Sequence, residues 1–193
     1  MIVDEQKVYV TRSSIPGLIL VERPTLADER GFFREVERRA SDVNAVLGSP
    51  VPHVQWNHAR SVRGVLRGIH IARWTKCIYV VRGEVQAVIV DLRPESSTFG
   101  RHESLRLGES RRAMAVVPPG CGNSYLVLSD VADYIYSVDQ EWTPGGEIGV
   151  AWDDPDLAIH WQLDGPPILS ERDRQLPRVR EVFPDRLPPS RGT

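Results

Sequence analysis

The chain has 193 residues, 41% of them hydrophobic, and a formal net charge of −2. These values are ordinary for one globular domain with a sizeable core, and the slightly acidic charge argues against a nucleic-acid-binding surface. No apolar run approaches the roughly 20 residues of a membrane span, and the segment MIVDEQKVYV does not resemble a secretory signal. The sequence therefore predicts a single cytoplasmic domain over 1–193, with a core over about 15–163 and a proline-rich arm over about 164–193.

Short predicted strands, separated by glycine, proline and polar turn residues, dominate the chain. In chain order, they cover 18–22, 31–36, 54–58, 77–81, 85–92, 112–117, 124–128, 134–138 and 148–152. A short helix is predicted over 41–47, where Gly48 ends it, and a second over 170–173. The pattern predicts an all-β sandwich or barrel of antiparallel strands, followed by a loosely packed arm.

The strongest pair of strand signals flanks Gly83. The β-branched runs 77–81 and 85–92 are joined by the short segment 82–84, which predicts a hairpin. The run 85–92 is apolar on both alternating faces, so we expect that strand to be buried on both sides.

The two cysteines and the two lysines each carry some information. Cys77 and Cys121 lie far apart without a C-x-x-C pattern, which favours two buried small side chains over a disulfide or a metal pair. Only Lys7 and Lys76 are lysine among 24 basic residues. A lysine in an arginine-rich chain suggests a role that guanidinium cannot fill, because an ammonium is a compact charge that can lose its proton.

The segment 64–76 is the densest in residues that could carry chemistry. In a regular strand, residues of equal parity face the same way, so His70, Trp74 and Lys76 could line one face and form a pocket. A hydrogen-bonded structural histidine and a solvated surface lysine are the alternatives.

A metal site is disfavoured by the spacing of the histidines. His70 is followed by neither a second histidine nor a nearby glutamate, which are usual in metal-binding sites on jelly rolls. The remaining histidines, at 53, 58, 102 and 160, do not supply this spacing either. Neither a G-x-S-x-G elbow nor a phosphate- or dinucleotide-binding glycine loop is present, so hydrolases, kinases and dehydrogenases lose support.

Eleven short motifs follow one another along the chain and are highly specific together: 30–35 (RGFFRE), 55–57 (QWN), 64–70 (GVLRGIH), Lys76, 83–85 (GEV), 90–93 (VDLR), 98–100 (TFG), 118–120 (PPG), 134–136 (YIY), 154–155 (DP) with 159–161 (IHW), and 169–170 (LS). In these motifs and their order the chain resembles, over nearly its whole length, the dTDP-4-dehydrorhamnose 3,5-epimerase family. The resemblance implies a double-stranded β-helix, the cupin-type jelly roll. It also implies a homodimer that acts on a dTDP-4-keto-6-deoxyhexose without metal or nicotinamide cofactor.

The resemblance also implies roles for individual residues. His70 matches the general base, Asp154 the carboxylate that orients it, Lys76 the cation near the ketone oxygen, and Tyr136 the acid on the opposite face of the sugar. The residues that match the substrate-binding set are Arg30, Phe33, Glu35, Gln55, Asn57, Arg67 for the diphosphate, Asn123, and Trp142 for stacking on thymine.

Two departures from the commonest family pattern leave the outcome of the reaction open. The link between His70 and Lys76 is short, and Asn123 stands where a histidine is usual; a branch of the family resembles this chain at both places. We interpret them as marks of a subtype, which inverts C3, C5 or both. The alternatives are a 3,4-ketoisomerase, a metal-dependent cupin enzyme and a non-catalytic sugar-binding module.

Overall fold

The computed structural model describes residues 8–37 and 51–186. The predicted helix over 41–47 and the last residues of the arm, 187–193, lie outside this part of the chain. The strands are β1 (Tyr9–Arg12), β2 (Ile19–Glu22), β3 (Leu26–Asp28), β4 (Gly31–Phe33), β5 (Gln55–Val62), β6 (Leu66–Ala72), β7 (Lys76–Arg82), β8 (Glu84–Asp91), β9 (His102–Gly108), β10 (Ala113–Val117), β11 (Cys121–Val127), β12 (Val131–Val138) and β13 (Glu147–Gly149). Two helices of one turn follow, α1 (Glu171–Arg174) and α2 (Val179–Val182).

Two antiparallel sheets pack against each other. One has six strands in the order β1-β2-β10-β7-β12-β5, and the other has five in the order β13-β6-β11-β8-β9. β3 and β4 form a separate two-stranded hairpin. The predicted all-β jelly roll is confirmed, although β1, β3, β6 and β9 were not among the predicted strands.

The core lies between the two sheets because inward residues alternate with outward ones along each strand. Ile78 and Val80 of β7 meet Val85, Ala87 and Ile89 of β8 in one buried cluster. Burial of apolar side chains such as these stabilises the fold by about 25 cal/mol per Å² of surface removed from water. This core holds the two sheets in register and so fixes the positions of the polar side chains beside it.

The prediction that 77–81 and 85–92 form a hairpin is wrong. β7 pairs with β10 and β12 in the six-stranded sheet, whereas β8 pairs with β11 and β9 in the five-stranded sheet. Between them the chain crosses from one sheet to the other at Gly83, whose φ is +75°. A Cβ at this position would lie 2.1 Å from the carbonyl oxygen of Val131, so only glycine fits the crossing.

The prediction that β8 is buried on both faces is confirmed. Its residues Val88 and Val90 point away from the core between the sheets and pack in a second buried cluster with Leu157 and Trp161. The chain after β13 therefore covers the outer face of the five-stranded sheet. This second layer explains why Val88 and Val90 are buried although they point away from the core between the sheets.

The described part of the arm is packed, in contrast to the loose segment that we predicted. Val179 of α2 is fully buried in the second cluster, and Phe183 contacts Phe99 edge-to-face. The predicted helix over 170–173 corresponds to α1, whose N-cap residue Ser170 accepts a hydrogen bond from the backbone N–H of Asp173 at 3.1 Å. The proline content of the arm misled the prediction, because its apolar residues dock on the sheet between the prolines.

Cys77 and Cys121 are both free and buried, as predicted. Burial raises the pKa of each thiol to about 12, so both stay protonated near neutral pH. Among the described residues, we find no helix with the length and apolar character needed to cross a membrane.

Candidate active site

A polar cavity of about 200 Å³ interrupts the apolar core between the two sheets. We call it the central cavity; its lining comprises Ala59, Arg67, His70, Lys76, Asn123, Tyr125, Tyr134, Tyr136 and Glu147. A second cavity of about 300 Å³, the adjoining cavity, is lined by Gln55, Asn57, Trp74, Lys76, Tyr136, Val138, Trp142 and Glu147. The two share Lys76, Tyr136 and Glu147, and together they approach the size of a small-molecule site.

His70 and Lys76 line the central cavity, as predicted, but for a different reason than strand parity. His70 belongs to β6 in the five-stranded sheet, and Lys76 begins β7 in the six-stranded sheet. The chain turns between these strands, so the alternation of faces does not continue from one residue to the other. The packing of the two sheets brings the imidazole and the ammonium to the same cavity.

A β-bulge places Arg67 in the same cavity as His70. β11 pairs Asn123 with His70 and Tyr125 with Arg67, so that three steps along β6 oppose two steps along β11. An extra residue in one strand reverses the face on which the following side chains lie. Without this bulge, Arg67 and His70 would point to opposite faces of the sheet.

The carboxylate next to His70 is Asp173 on α1. His70 Nε2 lies 2.7 Å from Asp173 Oδ1, and Asp173 is buried. Burial alone would raise the pKa of Asp173, but the hydrogen bond and charge of His70 outweigh it and lower that pKa below its usual value. An ionised Asp173 accepts a hydrogen bond from Nε2–H of His70, which leaves the lone pair of the imidazole on Nδ1. Its negative charge also stabilises the imidazolium that forms when Nδ1 takes up a proton.

The prediction that Asp154 orients His70 is wrong. Oδ1 of Asp154 accepts a hydrogen bond from the backbone N–H of Asp156 at 2.9 Å, and Oδ2 accepts one from Val179 at 2.7 Å. Asp154 therefore ties the turn after β13 to the start of α2. Asp173 was not among the predicted site residues, and it reaches His70 only because α1 docks beside β6.

Replacing each of these two aspartates by asparagine in a separate variant distinguishes their roles. We expect Asp173→Asn to lower kcat by as much as roughly 10⁴-fold, as the same change does beside the histidine base of a Ser-His-Asp triad, because the amide no longer holds the imidazole in its useful tautomer. Asp154→Asn is expected to lower the free energy of unfolding by about 1–3 kcal/mol, because it leaves a buried N–H badly paired, and to change kcat little. Steady-state kinetics and urea unfolding of both variants check this; the reverse pattern would return Asp154 to the site.

Lys76 is buried, and two opposing effects act on the charge of its ammonium group. Burial lowers the pKa of its ammonium group, and the negative charge of Glu147 opposes that effect. Its Nζ lies 4.8 Å from the centre of the Tyr136 ring, within the range of a cation–π contact. The sequence did not single out Glu147, which directly precedes the predicted strand 148–152 and begins the observed strand β13.

Tyr136 closes a row of three tyrosines in the cavity. Tyr125 and Tyr134 stack with ring centroids 4.1 Å apart, and Tyr134 meets Tyr136 edge-to-face at 6.3 Å. The Tyr134 hydroxyl donates to Oδ1 of Asn123 at 3.3 Å. Burial raises the pKa of Tyr136, and the charge of Glu147 raises it further, so its hydroxyl remains protonated and able to donate a proton.

Three of the predicted substrate-binding residues meet in the adjoining cavity. Nε2 of Gln55 donates to Oδ1 of Asn57 at 2.9 Å, and Oε1 of Gln55 accepts from the backbone N–H of Trp142 at 2.8 Å. The Trp142 side chain is half-exposed at the rim. Trp74 lines the adjoining cavity together with Lys76, whereas His70 lines only the central one.

Two more of the eight predicted binding residues, Arg67 and Asn123, line the central cavity, and the remaining three line neither cavity. Arg30 and Phe33 border a separate depression of the β3–β4 hairpin, where Arg30 pairs with Asp28. Glu35 pairs with Arg23 at 3.4 Å. Within one chain, the structure thus does not bring this group to His70.

Residues 8–37 and 51–186 contain no group of three or more His, Cys, Asp or Glu side chains arranged as metal ligands would be. The side chains of the central cavity include an imidazole paired with a carboxylate, an ammonium and a phenol.

Comparisons with known proteins agree with the resemblance seen in the motifs. The model of the family described as dTDP-4-dehydrorhamnose 3,5-epimerase matches residues 12–181. The dTDP-4-dehydrorhamnose 3,5-epimerase of Pseudomonas aeruginosa is 41% identical over 168 residues, which cover 86% of this chain and 92% of that protein. The dTDP-4-dehydrorhamnose 3-epimerase of Streptomyces niveus is 37% identical over 189 residues, which cover 93% of this chain and 87% of that protein.

A solved structure extends the likeness to the fold. The crystal structure of a dTDP-6-deoxy-D-glucose-3,5-epimerase from Legionella pneumophila, in complex with dTDP-4-keto-L-rhamnose, superposes with a TM-score of 0.86 and 32% sequence identity. The match covers 94% of this chain and 98% of that chain.

Proposed function

The chain belongs to the dTDP-4-dehydrorhamnose 3,5-epimerase family, and we propose that it is an isomerase that inverts C3, C5 or both of a dTDP-4-keto-6-deoxyhexose in deoxysugar biosynthesis. The single observation that carries this proposal is the central cavity, where His70, paired with the buried Asp173, shares its lining with Lys76 and Tyr136. These are the groups that proton transfer beside a ketone requires.

The difficulty of the reaction lies in the weak acidity of the proton beside the ketone. A histidine with an ordinary pKa of about 6.5 removes such a proton slowly unless the negative charge that forms on the ketone oxygen is stabilised. A well-placed donor to that oxygen contributes about 3–4 kcal/mol, and a positioned base accelerates the step roughly 10²- to 10⁴-fold. Lys76 takes the first role and His70 the second.

Inversion further requires that the proton return on the other face of the sugar. His70 comes from the five-stranded sheet, whereas Tyr136 lies on β12 in the six-stranded sheet. A sugar ring held between the sheets would thus meet the base on one face and the phenol on the other. The cycle moves only protons and has no net oxidation, so it needs no nicotinamide, and Lys76 supplies the positive charge that stabilises the ketone oxygen.

The nucleotide part of the substrate would occupy the adjoining cavity and its surroundings. Arg67 would bind the diphosphate, because guanidinium pairs with phosphate through two parallel hydrogen bonds. Gln55 and Asn57 would contact the nucleoside, and Trp142 offers an exposed ring for stacking on the base. Binding energy from these remote groups would hold the sugar in place during proton transfer.

We propose a homodimer as the assembly, because several predicted binding residues lie away from the cavity of their own chain. Phe33 is 67% exposed on the β3–β4 hairpin, and Trp56 is 56% exposed on the outer face of β5. Aromatic side chains are enriched at protein interfaces relative to the rest of the surface, so these exposed rings support a second copy as their partner. A second copy could bring Arg30, Phe33 and Glu35 to the substrate; light scattering would show a monomer if this is wrong.

The cytoplasm is the proposed compartment. Cys77 and Cys121 are both unpaired, a state that agrees with a reducing environment.

The number of inverted centres can be counted by deuterium uptake. In D₂O with dTDP-4-keto-6-deoxyglucose, we expect the product to carry deuterium at C3, at C5 or at both, read by NMR and mass spectrometry. Inversion of both centres would incorporate two deuterons. The similarity to the 3-epimerase of Streptomyces niveus supports inversion of C3 alone as the alternative, which would incorporate one deuteron at C3. A shifted carbonyl would indicate a ketoisomerase, and the absence of exchange would leave a binding module.

A further inference from the structure

Glu147 lies between two cations at the boundary of the two cavities. Its Oε1 is 4.0 Å from Nζ of Lys76, and its Oε2 is 3.4 Å from Nη2 of Arg172. The side chains of Glu147 and Lys76 are 14% and 9% exposed, whereas that of Arg172 is 52% exposed. The carboxylate is therefore enclosed on the Lys76 side and open towards solvent on the Arg172 side.

We propose that Glu147 is a positioning residue that keeps Lys76 in the cavity as an ammonium ion, and that Arg172 limits how strongly it does so. The proposal rests on the proposed function, in which a charged Lys76 stabilises the ketone oxygen. The separation of 4.0 Å is too long for a hydrogen bond, so the carboxylate acts on Lys76 through its charge and leaves the ammonium protons free for a substrate oxygen.

A nearby carboxylate is needed because a buried ammonium is costly. Removal of a charge from water disfavours the charged form, and an opposite charge within about 4–6 Å restores it. The other titratable or charged groups around the central cavity are Arg67 and His70 on β6, Tyr125 on β11, and Tyr134 and Tyr136 on β12. Among these lining groups, Glu147 is the only carboxylate, so it supplies the compensating charge.

The fold links this pair to the base. Glu147 begins β13, which pairs with β6 so that Glu147 lies opposite Ala72 and Gly149 opposite His70. On α1, Arg172 contacts Glu147 and the next residue, Asp173, contacts His70. One helical turn of the arm therefore supports both the ammonium and the imidazole. Loss of the arm would disturb both groups together.

The chain contains only two lysines, which makes the charge of Lys76 directly observable. With lysine labelled with ¹³C at Cε, a pH titration by NMR gives one signal for Lys7 and one for Lys76, and Lys76→Arg assigns them. We expect Glu147→Gln to move the titration of Lys76 to lower pH, because the change removes the charge that favours the ammonium. Lys7 serves as the internal reference and should not move.

Arg172→Gln is the matched control, with the opposite expected sign. Removal of this positive charge leaves Glu147 ionised and unopposed, so the midpoint of Lys76 should stay or rise. A purely structural disturbance that admits water would instead move both variants in the same direction. Glu147→Asp should restore part of the shift.

The outcome for Lys76 does not depend on turnover, so the two proposals fail separately. An unchanged Lys76 midpoint in folded Glu147→Gln protein overturns the role of Glu147 even if the enzyme is an epimerase. If the midpoint falls but the unmutated protein does not exchange deuterium into a dTDP-4-keto sugar, the proposed function is what fails. With both intact, the alkaline limb of the kcat profile should move to lower pH together with the Lys76 midpoint.

Discussion

Replacement of His70 by asparagine is expected to lower kcat roughly 10²- to 10⁴-fold, the contribution of a positioned general base. Asparagine keeps a polar group of similar size facing Asp173 but cannot take up a proton. The fall should appear equally in product formation and in deuterium exchange from D₂O, because both need the same C–H bond to break. Binding of dTDP, followed by calorimetry, should persist, since His70 is not among the proposed nucleotide contacts: Gln55, Asn57 and Trp142 line the adjoining cavity, and Arg67 in the central cavity is left unchanged.

His160→Asn is the matched control for this change. The His160 side chain is exposed and lies outside both cavities, so its loss should leave kcat and deuterium exchange unchanged. Full exchange in folded His70→Asn protein would show that another group removes the proton, and the assignment of the base would have to be abandoned.

Lys76→Met is expected to lower kcat about 10²- to 10³-fold, which corresponds to the roughly 3–4 kcal/mol that one well-placed donor to a developing oxyanion contributes. Methionine preserves much of the length and apolar stem of lysine but has no charge. The Michaelis constant should change less than kcat, because the ketone gains its negative charge only as the proton leaves.

Lys76→Arg tests whether charge alone suffices. A guanidinium retains the positive charge but is planar and larger, so we expect activity between those of the unmutated protein and Lys76→Met. Circular dichroism and thermal unfolding would confirm that both variants fold. A kcat for folded Lys76→Met within a few-fold of the unmutated enzyme would mean that Lys76 does not stabilise the ketone oxygen.

Much of the fold was predictable because the signals are local. Alternating and β-branched runs identify a strand from its own residues, and the apolar segment 85–92 indicated a strand buried on both faces. The same segment shows where this reasoning ends, since β7 and β8 have hairpin-like sequences but belong to different sheets. The direction in which the chain leaves Gly83 is decided by which strands it can pair with, and those lie far away in the sequence.

In the candidate site, too, some residues could be predicted from the sequence and others only from the structure. His70, Lys76 and Tyr136 were identified from the sequence, and the structure brings all three to the central cavity. The carboxylate partner was misassigned, because Asp173 is 103 residues from His70 and reaches it only through the docking of the arm. Glu147 was missed for a related reason: its edge strand must pair with β6 before its side chain can meet Lys76.

By itself, the sequence determined that the fold is all-β, since periodicity is a property of short segments, and its motifs, through their resemblance to an epimerase family, indicated which imidazole, ammonium and phenol it offers for catalysis. The tertiary structure alone decided which carboxylates stand beside them. A strand's period specifies the face on which a side chain lies but not the sheet that face will meet, and that choice depends on burial and pairing summed over the whole chain.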